Sequence, residues 1–275
     1  MTRFGDFTLL EDLGRSDTAD RYKASHATLG GPFFLKVYSR LDPTLHAELL
    51  HRCEVLLGRQ HANLSQHLGH GVVDGLPFVV SPFLEGIDLA EMSTSLVDRR
   101  VTIGLESVLL VLGDLATAVG ALHAIPSNNG TPTMSHGDVS AGHVRVGADG
   151  QVWLTGLTTP RSEGPGKPPE GRWDLAGVGA LVYDLVPLLR GGAQRPPLPA
   201  PLDRVVRRAL GIGTPEDQIG APELVDRLGE VSVALKLKPD RGSFAELVRR
   251  TVRSVEKRVA ETGSRPFAKA AGTSS

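Results

Sequence analysis

The sequence predicts an α+β fold of two lobes, in which a small antiparallel β lobe with one helix precedes a larger, mainly helical lobe. Short β-type runs separated by turn residues fill the first part of the chain, whereas helical spacing of apolar residues dominates after Gly86. The length of 275 residues exceeds that of a typical single core, so a two-lobed organisation is the natural expectation.

The sheet of the first lobe is predicted from its turns. Apolar runs at residues 7–10 and 33–38 lie on either side of Gly14 and the Gly30-Gly31-Pro32 turn, a spacing typical of a meandering antiparallel sheet. Farther along, residues 71–73 and 77–80 form two runs joined by Asp74-Gly75, which is a hairpin signal. Between these two regions, leucines at helical spacing predict a helix from about residue 43 to residue 59.

The second lobe is predicted from longer apolar periodicities. A β segment with an Asp149-Gly150 turn covers residues 144–157, and a loop rich in proline and glycine follows at residues 160–171. Helices are predicted at residues 105–124, 173–189, 202–210 and 222–235.

The tail from residue 236 onward is basic and ends in small polar residues. Its apolar residues recur at helical spacing and predict an amphipathic helix, formed by Phe244, Leu247, Val248, Val252, Val255 and Val259. Three interpretations stay open: a helix packed on the large lobe, a partner-binding helix for an acidic groove, and a membrane-surface helix.

Composition excludes several classes of function. With 30 basic and 31 acidic residues, no strong charge favours nucleic acid as a partner. The apolar stretch at residues 108–125 contains Asp114 and His123, so we interpret it as a buried helix and expect no membrane span. Cys53 is the single cysteine, and residues 1–13 contain no apolar signal core, so we expect a cytoplasmic protein.

Several motifs, taken in order, resemble those of bacterial Hanks-type serine/threonine protein kinases. The resemblance implies a kinase-like domain at residues 7–235, with an N-lobe at about 7–83 and a C-lobe at about 84–235, followed by a tail at 236–275. It rests on Phe34-Leu35-Lys36-Val37, His61-Ala62-Asn63-Leu64, Phe83-Leu84-Glu85-Gly86, Ser135-His136-Gly137-Asp138-Val139, Trp173-Asp174-Leu175-Ala176-Gly177 and the helix at residues 202–210.

The resemblance implies that Lys36 and Gly14 are the remnants of a nucleotide site and that Asp138 is the vestigial catalytic aspartate. The glycine-rich loop keeps only Gly14, and Phe34 stands where a small residue normally covers the adenine ring. The glutamate that pairs with the lysine is replaced by Arg52. The alternative that Lys36 pairs with Glu48 or Glu54 of the same helix stays open.

Residues for metal binding are also replaced. His143 stands at the position of the metal-binding asparagine, and Gly156 at that of the metal-binding aspartate, so we expect no metal site. Pro168-Pro169-Glu170 matches the end of the activation segment poorly, and Gln218 replaces the arginine that pairs with its glutamate. In contrast, His136 and Asp174, whose roles in the family are architectural, remain.

This pattern predicts a pseudokinase that binds a protein partner, such as another kinase or signalling protein, as a scaffold or allosteric regulator in signalling, without a cofactor. The alternative is a divergent serine/threonine kinase with weak ATP- and Mg²⁺-dependent phosphotransfer through Asp138 and Lys36. A third hypothesis is a small-molecule kinase of the aminoglycoside phosphotransferase type, because the His136-Gly137-Asp138 loop is similar to theirs.

Overall fold

The computed structural model describes residues 2–126, 134–160, 171–185, 197–213 and 218–262. It confirms the predicted two-lobed α+β fold. The N-lobe contains an antiparallel sheet of strand order β1-β2-β3-β4-β6-β5. Its strands are β1 (Arg3–Phe4), β2 (Phe7–Arg15), β3 (Asp20–His26), β4 (Gly30–Val37), β5 (Gly69–Val73) and β6 (Leu76–Pro82).

The helix of the N-lobe, α1 (His46–Leu56), follows a single 3-10 turn at Pro43–Leu45. Its inner face includes Leu49 and Cys53, which pack with Tyr38 and Val79 in one of the two apolar clusters of this lobe. The predicted helix therefore exists, although it ends three residues earlier than expected.

The predicted hairpin at Asp74-Gly75 is confirmed, since β5 and β6 pair up to Val73 and Leu76. Asp74 and Gly75 have φ values of 50° and 78°, as a type I′ turn requires at both central positions. The turn fixes the register that places Val79 and Val80 in the core.

The C-lobe combines a small sheet with helices. Strands β7 (Ile87–Asp88), β8 (Val144–Val146) and β9 (Val152–Leu154) pair antiparallel. The helices are α2 (Leu89–Asp98), α3 (Leu105–His123), α4 (Gly171–Leu185), α5 (Ala200–Ala209), α6 (Ala221–Ala234) and α7 (Arg241–Thr262). Of these, α2 was not predicted, and residues 186–189 of the predicted helix lie outside the described residues.

Helix α3 is the centre of the C-lobe, where it packs against α4, α6 and β9. By length and composition it could cross a membrane, and it is the one described helix with that property. Its buried residues, including Val111, Leu115 and Val119, belong to the main apolar core, as the sequence interpretation expects.

Helix α7 packs on α2 and α3 of the C-lobe. Phe244 and Val248 are fully buried in the main core, and Arg241 forms an ion pair with Asp114 at 2.9 Å. A second ion pair joins Arg258 to Asp98 of α2. These contacts correspond to the first of the three interpretations of the tail.

Candidate functional site

A cleft between the lobes contains about 190 Å³. Its upper wall comes from β2 to β4 and β6, its rear from the segment that follows α1, and its floor from β8 and the residues after β9. Small-molecule pockets have volumes of roughly 300–1,000 Å³, so this cleft is narrow by comparison.

Two large side chains face this cleft from opposite lobes. Phe34 of β4 lines it from the N-lobe, and Arg145 of β8 lines it from the C-lobe. Arg145 donates hydrogen bonds to the carbonyls of Leu84 and Gly86, at 3.0 and 2.7 Å, and pairs with Asp88 at 3.1 Å. The linker between the lobes is thus bound to the floor of the cleft. The sequence analysis did not identify Arg145.

Lys36 lines the cleft, and its ammonium group donates a hydrogen bond to Thr159 Oγ1 at 2.8 Å. The same group lies 4.8 Å from the ring centroid of Tyr38, whose pKa is raised by burial to about 12. The lysine therefore joins β4 to the segment after β9, beside a neutral phenol.

Arg52 occupies the position on α1 at which the family has its glutamate, and it is 5% exposed. Its guanidinium donates from Nε to the Leu157 carbonyl at 2.8 Å and from Nη2 to the Ser135 carbonyl at 2.9 Å. The two acceptors belong to the C-lobe, one after β9 and one in the loop before Asp138. A buried cation thus connects α1 to both segments.

Gly14 lies near the end of β2, where its amide donates to Asp12 at 2.8 Å and its φ is 89°. The chain then turns within four residues, because the Ser16 amide donates to the Ala19 carbonyl. Arg40 pairs with Asp20 at 2.8 Å and also donates to the Ser16 carbonyl, so the turn is bound to the sheet.

The loop with Asp138 is ordered by hydrogen bonds of His136. The His136 ring is fully buried, donates from Nε2 to the Thr155 carbonyl at 2.7 Å and accepts the Asp138 amide at Nδ1. The Asp138 carboxylate lies 3.3 Å from His143 Nδ1. Asp138 and His143 are thus brought together.

His143 also contacts Gly156, whose φ is 80°. A Cβ atom at Gly156 would lie 2.7 Å from Cδ2 of the His143 ring, which is closer than nonbonded carbon atoms approach. Because the imidazole fills this space, a longer side chain at position 156 requires His143 to move.

Asp174 is fully buried and accepts three hydrogen bonds, from the amides of His136 and Gly137, both at 2.7 Å, and from His123 Nε2 at 2.8 Å. Burial raises its pKa, but these hydrogen bonds outweigh that effect and hold the pKa below its usual value. His123, at the end of α3, is a partner that the sequence analysis missed.

One predicted motif cannot be placed. Pro168-Pro169-Glu170 lies outside the described residues. Gln218 is described and is exposed just before α6.

Comparison with solved structures gives the kinase domain of Mycobacterium tuberculosis PknI as a similar fold. One crystal structure of that domain matches with a TM-score of 0.64 and 23% identity, covering 83% of this chain and 97% of that chain. A second matches with a TM-score of 0.62 and 23% identity, covering 84% and 98%. No protein-family model and no curated protein matches the sequence. The chain therefore has the two-lobed fold of a kinase domain.

Proposed function

We propose that this kinase-fold domain is a pseudokinase that acts as a protein-binding scaffold or allosteric regulator in signalling. The observation that carries the proposal is the contact between His143 and Gly156, because these two positions supply the metal ligands in the resembling family. In this chain Gly156 has no side chain, and His143 has an imidazole whose Nδ1 lies 3.3 Å from the Asp138 carboxylate.

The residues of the cleft do not fit Mg²⁺. This ion prefers oxygen ligands in octahedral geometry, and it usually binds proteins through one or two carboxylates together with phosphates. Among the described residues that line the cleft, Asp88 is the one carboxylate, and it pairs with Arg145. A kinase mechanism would leave the charge of the transferred phosphoryl group without its largest neutralising partner.

The residues of the cleft also fit ATP poorly. Phe34 and Arg145 line the space from both lobes, and 190 Å³ is below the usual range for small-molecule sites. Lys36 donates to Thr159 in place of a phosphate, and Arg52 replaces the acidic partner of that lysine. These contacts support the proposal that Lys36 and Arg52 stabilise the cleft and do not bind a nucleotide.

Exposed leucines on and after α1 support binding to a protein. Leu50 and Leu57 are two helical turns apart and are 46% and 50% exposed. The Leu57 backbone forms a bridge with His67, which is next to the exposed Leu68. We propose this apolar surface as part of the contact with a protein partner, such as another kinase, in the cytoplasm.

The alternative function is a divergent serine/threonine kinase that works weakly through Asp138 and Lys36. It rests on the presence of both residues and on the position of Lys36 in the cleft. The third hypothesis, a small-molecule kinase, needs the same metal ligands and has no separate structural support.

The test is a thermal-shift titration of the full chain with ATP, alone and with Mg²⁺ or Mn²⁺, together with a phosphotransfer assay on a generic substrate. We expect no stabilisation by metal-ATP at millimolar concentration, since any ligand of the native state raises Tm. Phe34→Ala should open space for adenine and give metal-independent nucleotide binding.

Phe33→Ala is the matched control, because Phe33 is the neighbouring residue on β4 and packs in the apolar cluster that contains Phe7. It should lower Tm without creating a nucleotide response. A metal-dependent shift of the unmodified chain, with phosphotransfer that Asp138→Asn abolishes, would establish the alternative function.

A further inference from the structure

A second group of chemically reactive side chains lies behind the cleft. Cys53 of α1, His67 of the segment before β5 and His70 of β5 each offer one possible ligand atom, and these three atoms lie within 4.8 Å of one another. His67 also lines the rear of the cleft, so the group borders that space. None of the three residues has a role in the proposed function.

Two members of this group are almost fully buried. Cys53 is 0% exposed and His67 is 2% exposed, whereas His70 is half-buried. His67 Nε2 lies 3.2 Å from His70 Nδ1, and the two rings are stacked with centroids 5.4 Å apart. In the described part of the chain, His67 Nδ1 is buried without a hydrogen-bond partner. A buried polar atom of this kind is costly unless something binds it.

The distances suit a transition metal. A tetrahedral ion with bonds of about 2.0–2.1 Å to nitrogen and about 2.3 Å to sulfur separates its ligand atoms by roughly 3.3–3.6 Å. The mutual distances of the three ligand atoms exceed that separation by at most about 1.5 Å.

We propose that Cys53, His67 and His70 form a binding site for Zn²⁺ with a fourth position open toward the cleft. A thiolate and two imidazoles are ligands that Zn²⁺ prefers, and three protein ligands leave one position for water or another donor. On binding, the Cys53 thiol releases its proton to solvent, and the sulfur forms the bond to the metal.

The metal would join α1 to β5 at the rear of the N-lobe. Cys53 follows Arg52 directly, and Arg52 donates to both segments of the C-lobe described above. A metal that fixes Cys53 therefore also fixes the helix from which Arg52 reaches across the cleft. Burial raises the pKa of Cys53 to about 12 and lowers that of His67 to about 4, so without metal Cys53 is a neutral thiol beside the neutral imidazole of His67.

The competing interpretation is an ordinary core, in which Cys53 packs with Tyr38 and Leu49 and the two histidines share one hydrogen bond. Cobalt distinguishes the two. Tag-free protein is stripped with a chelator and titrated with Co²⁺, which reports tetrahedral ligation by visible absorption and thiolate ligation by a near-ultraviolet charge-transfer band. Because Cys53 is the single cysteine of the sequence, that band assigns the ligand without any variant.

We expect one Co²⁺ per chain with both spectral features, and displacement by Zn²⁺. His70→Gln should weaken binding by at least about 100-fold, since loss of partners outside the ligand set alone costs roughly 10–100-fold. Cys53→Ser should remove the charge-transfer band. His51→Gln, at an exposed position of the same helix, is the matched control and should change neither.

Three outcomes would overturn the proposal. The unmodified chain could bind Co²⁺ without a thiolate charge-transfer band, its affinity for Co²⁺ could be unchanged in His70→Gln, or it could fail to bind Co²⁺ at millimolar concentration. If a variant does not fold, the spectrum of the unmodified chain still decides, because no other thiol can produce it.

Discussion

Removal of the Arg52 guanidinium is the most direct test of the proposal that residues at the kinase-like positions of this fold have structural roles. Arg52→Met keeps the length and apolar stem of the side chain but removes the donors to the Leu157 and Ser135 carbonyls, at 2.8 and 2.9 Å. Since Arg52 is 5% exposed, water cannot easily replace those donors. We therefore expect the variant to be clearly less stable.

The magnitude follows from the two acceptors. A buried polar group left without its partner costs about 1–3 kcal/mol, so two such carbonyls cost about 2–6 kcal/mol. Removal of a buried charge recovers part of this, because the guanidinium no longer has to be desolvated. We expect a net loss of about 2–4 kcal/mol in the free energy of unfolding, and a decrease in Tm of at least roughly 5 °C.

The assay is urea unfolding followed by circular dichroism, with a thermal melt as a second measurement. Glu54→Gln, an exposed change on the same helix, is the control and should lie within about 0.5 kcal/mol of the unmodified chain. An Arg52→Met variant as stable as this control would refute the reasoning.

The change Arg52→Glu sharpens the test, because it introduces the residue of the kinase family. In the structure a carboxylate there would face two carbonyl oxygens, so we expect Arg52→Glu to be less stable than Arg52→Met. If Arg52→Glu were instead more stable than Arg52→Met, α1 would be able to turn and pair the introduced carboxylate with Lys36. The contacts of Arg52 with the C-lobe would then not be fixed by the fold.

Three further predictions concern other parts of the C-lobe. Asp174→Asn should lower the free energy of unfolding by about 1–3 kcal/mol at neutral pH. Because the folded pKa of Asp174 is lowered, the contribution of its carboxylate to stability is present above about pH 4 and is lost as the pH falls further. In acid unfolding, the stabilities of the variant and of the unmodified chain should therefore converge. Phe244→Ala in α7 should cost about 3–5 kcal/mol in a thermal melt, and truncation after Leu235 should lower Tm, whereas exposed Arg253→Gln should not. Asp138→Asn should change the free energy of unfolding by less than about 1 kcal/mol and leave partner binding in pull-downs unchanged, as its carboxylate is partly exposed.

Local sequence signals predicted most of the fold because they act over a few residues. The Asp74-Gly75 turn and the apolar spacing of α3 each specify their own element. Helix α2 was missed because its buried face includes Glu91 and Ser95, which interrupt the apolar period. The ends of α1 and α4 depend on tertiary contacts, and spacing alone does not define them.

The site could be predicted only where a motif fixes both spacing and role. Lys36, His143 and Gly156 were found because each occupies a fixed place in a family motif. Arg145 and His123 were not, since their partners are 57 to 61 and 51 residues away in the chain. The group of Cys53, His67 and His70 has no regular spacing and becomes visible only when α1 and β5 are packed together.

The residues of the cleft depend on one another, so under the proposed function no single substitution should produce phosphotransfer. An aspartate at Gly156 would collide with the His143 ring, which in turn lies against Asp138. A glutamate at Arg52 would remove the donor to Leu157, the residue that follows Gly156. Each of these positions is therefore held by a contact to another. Because those contacts join the two lobes across the cleft, we expect that a metal ligand introduced without its neighbours lowers stability before it produces any phosphotransfer.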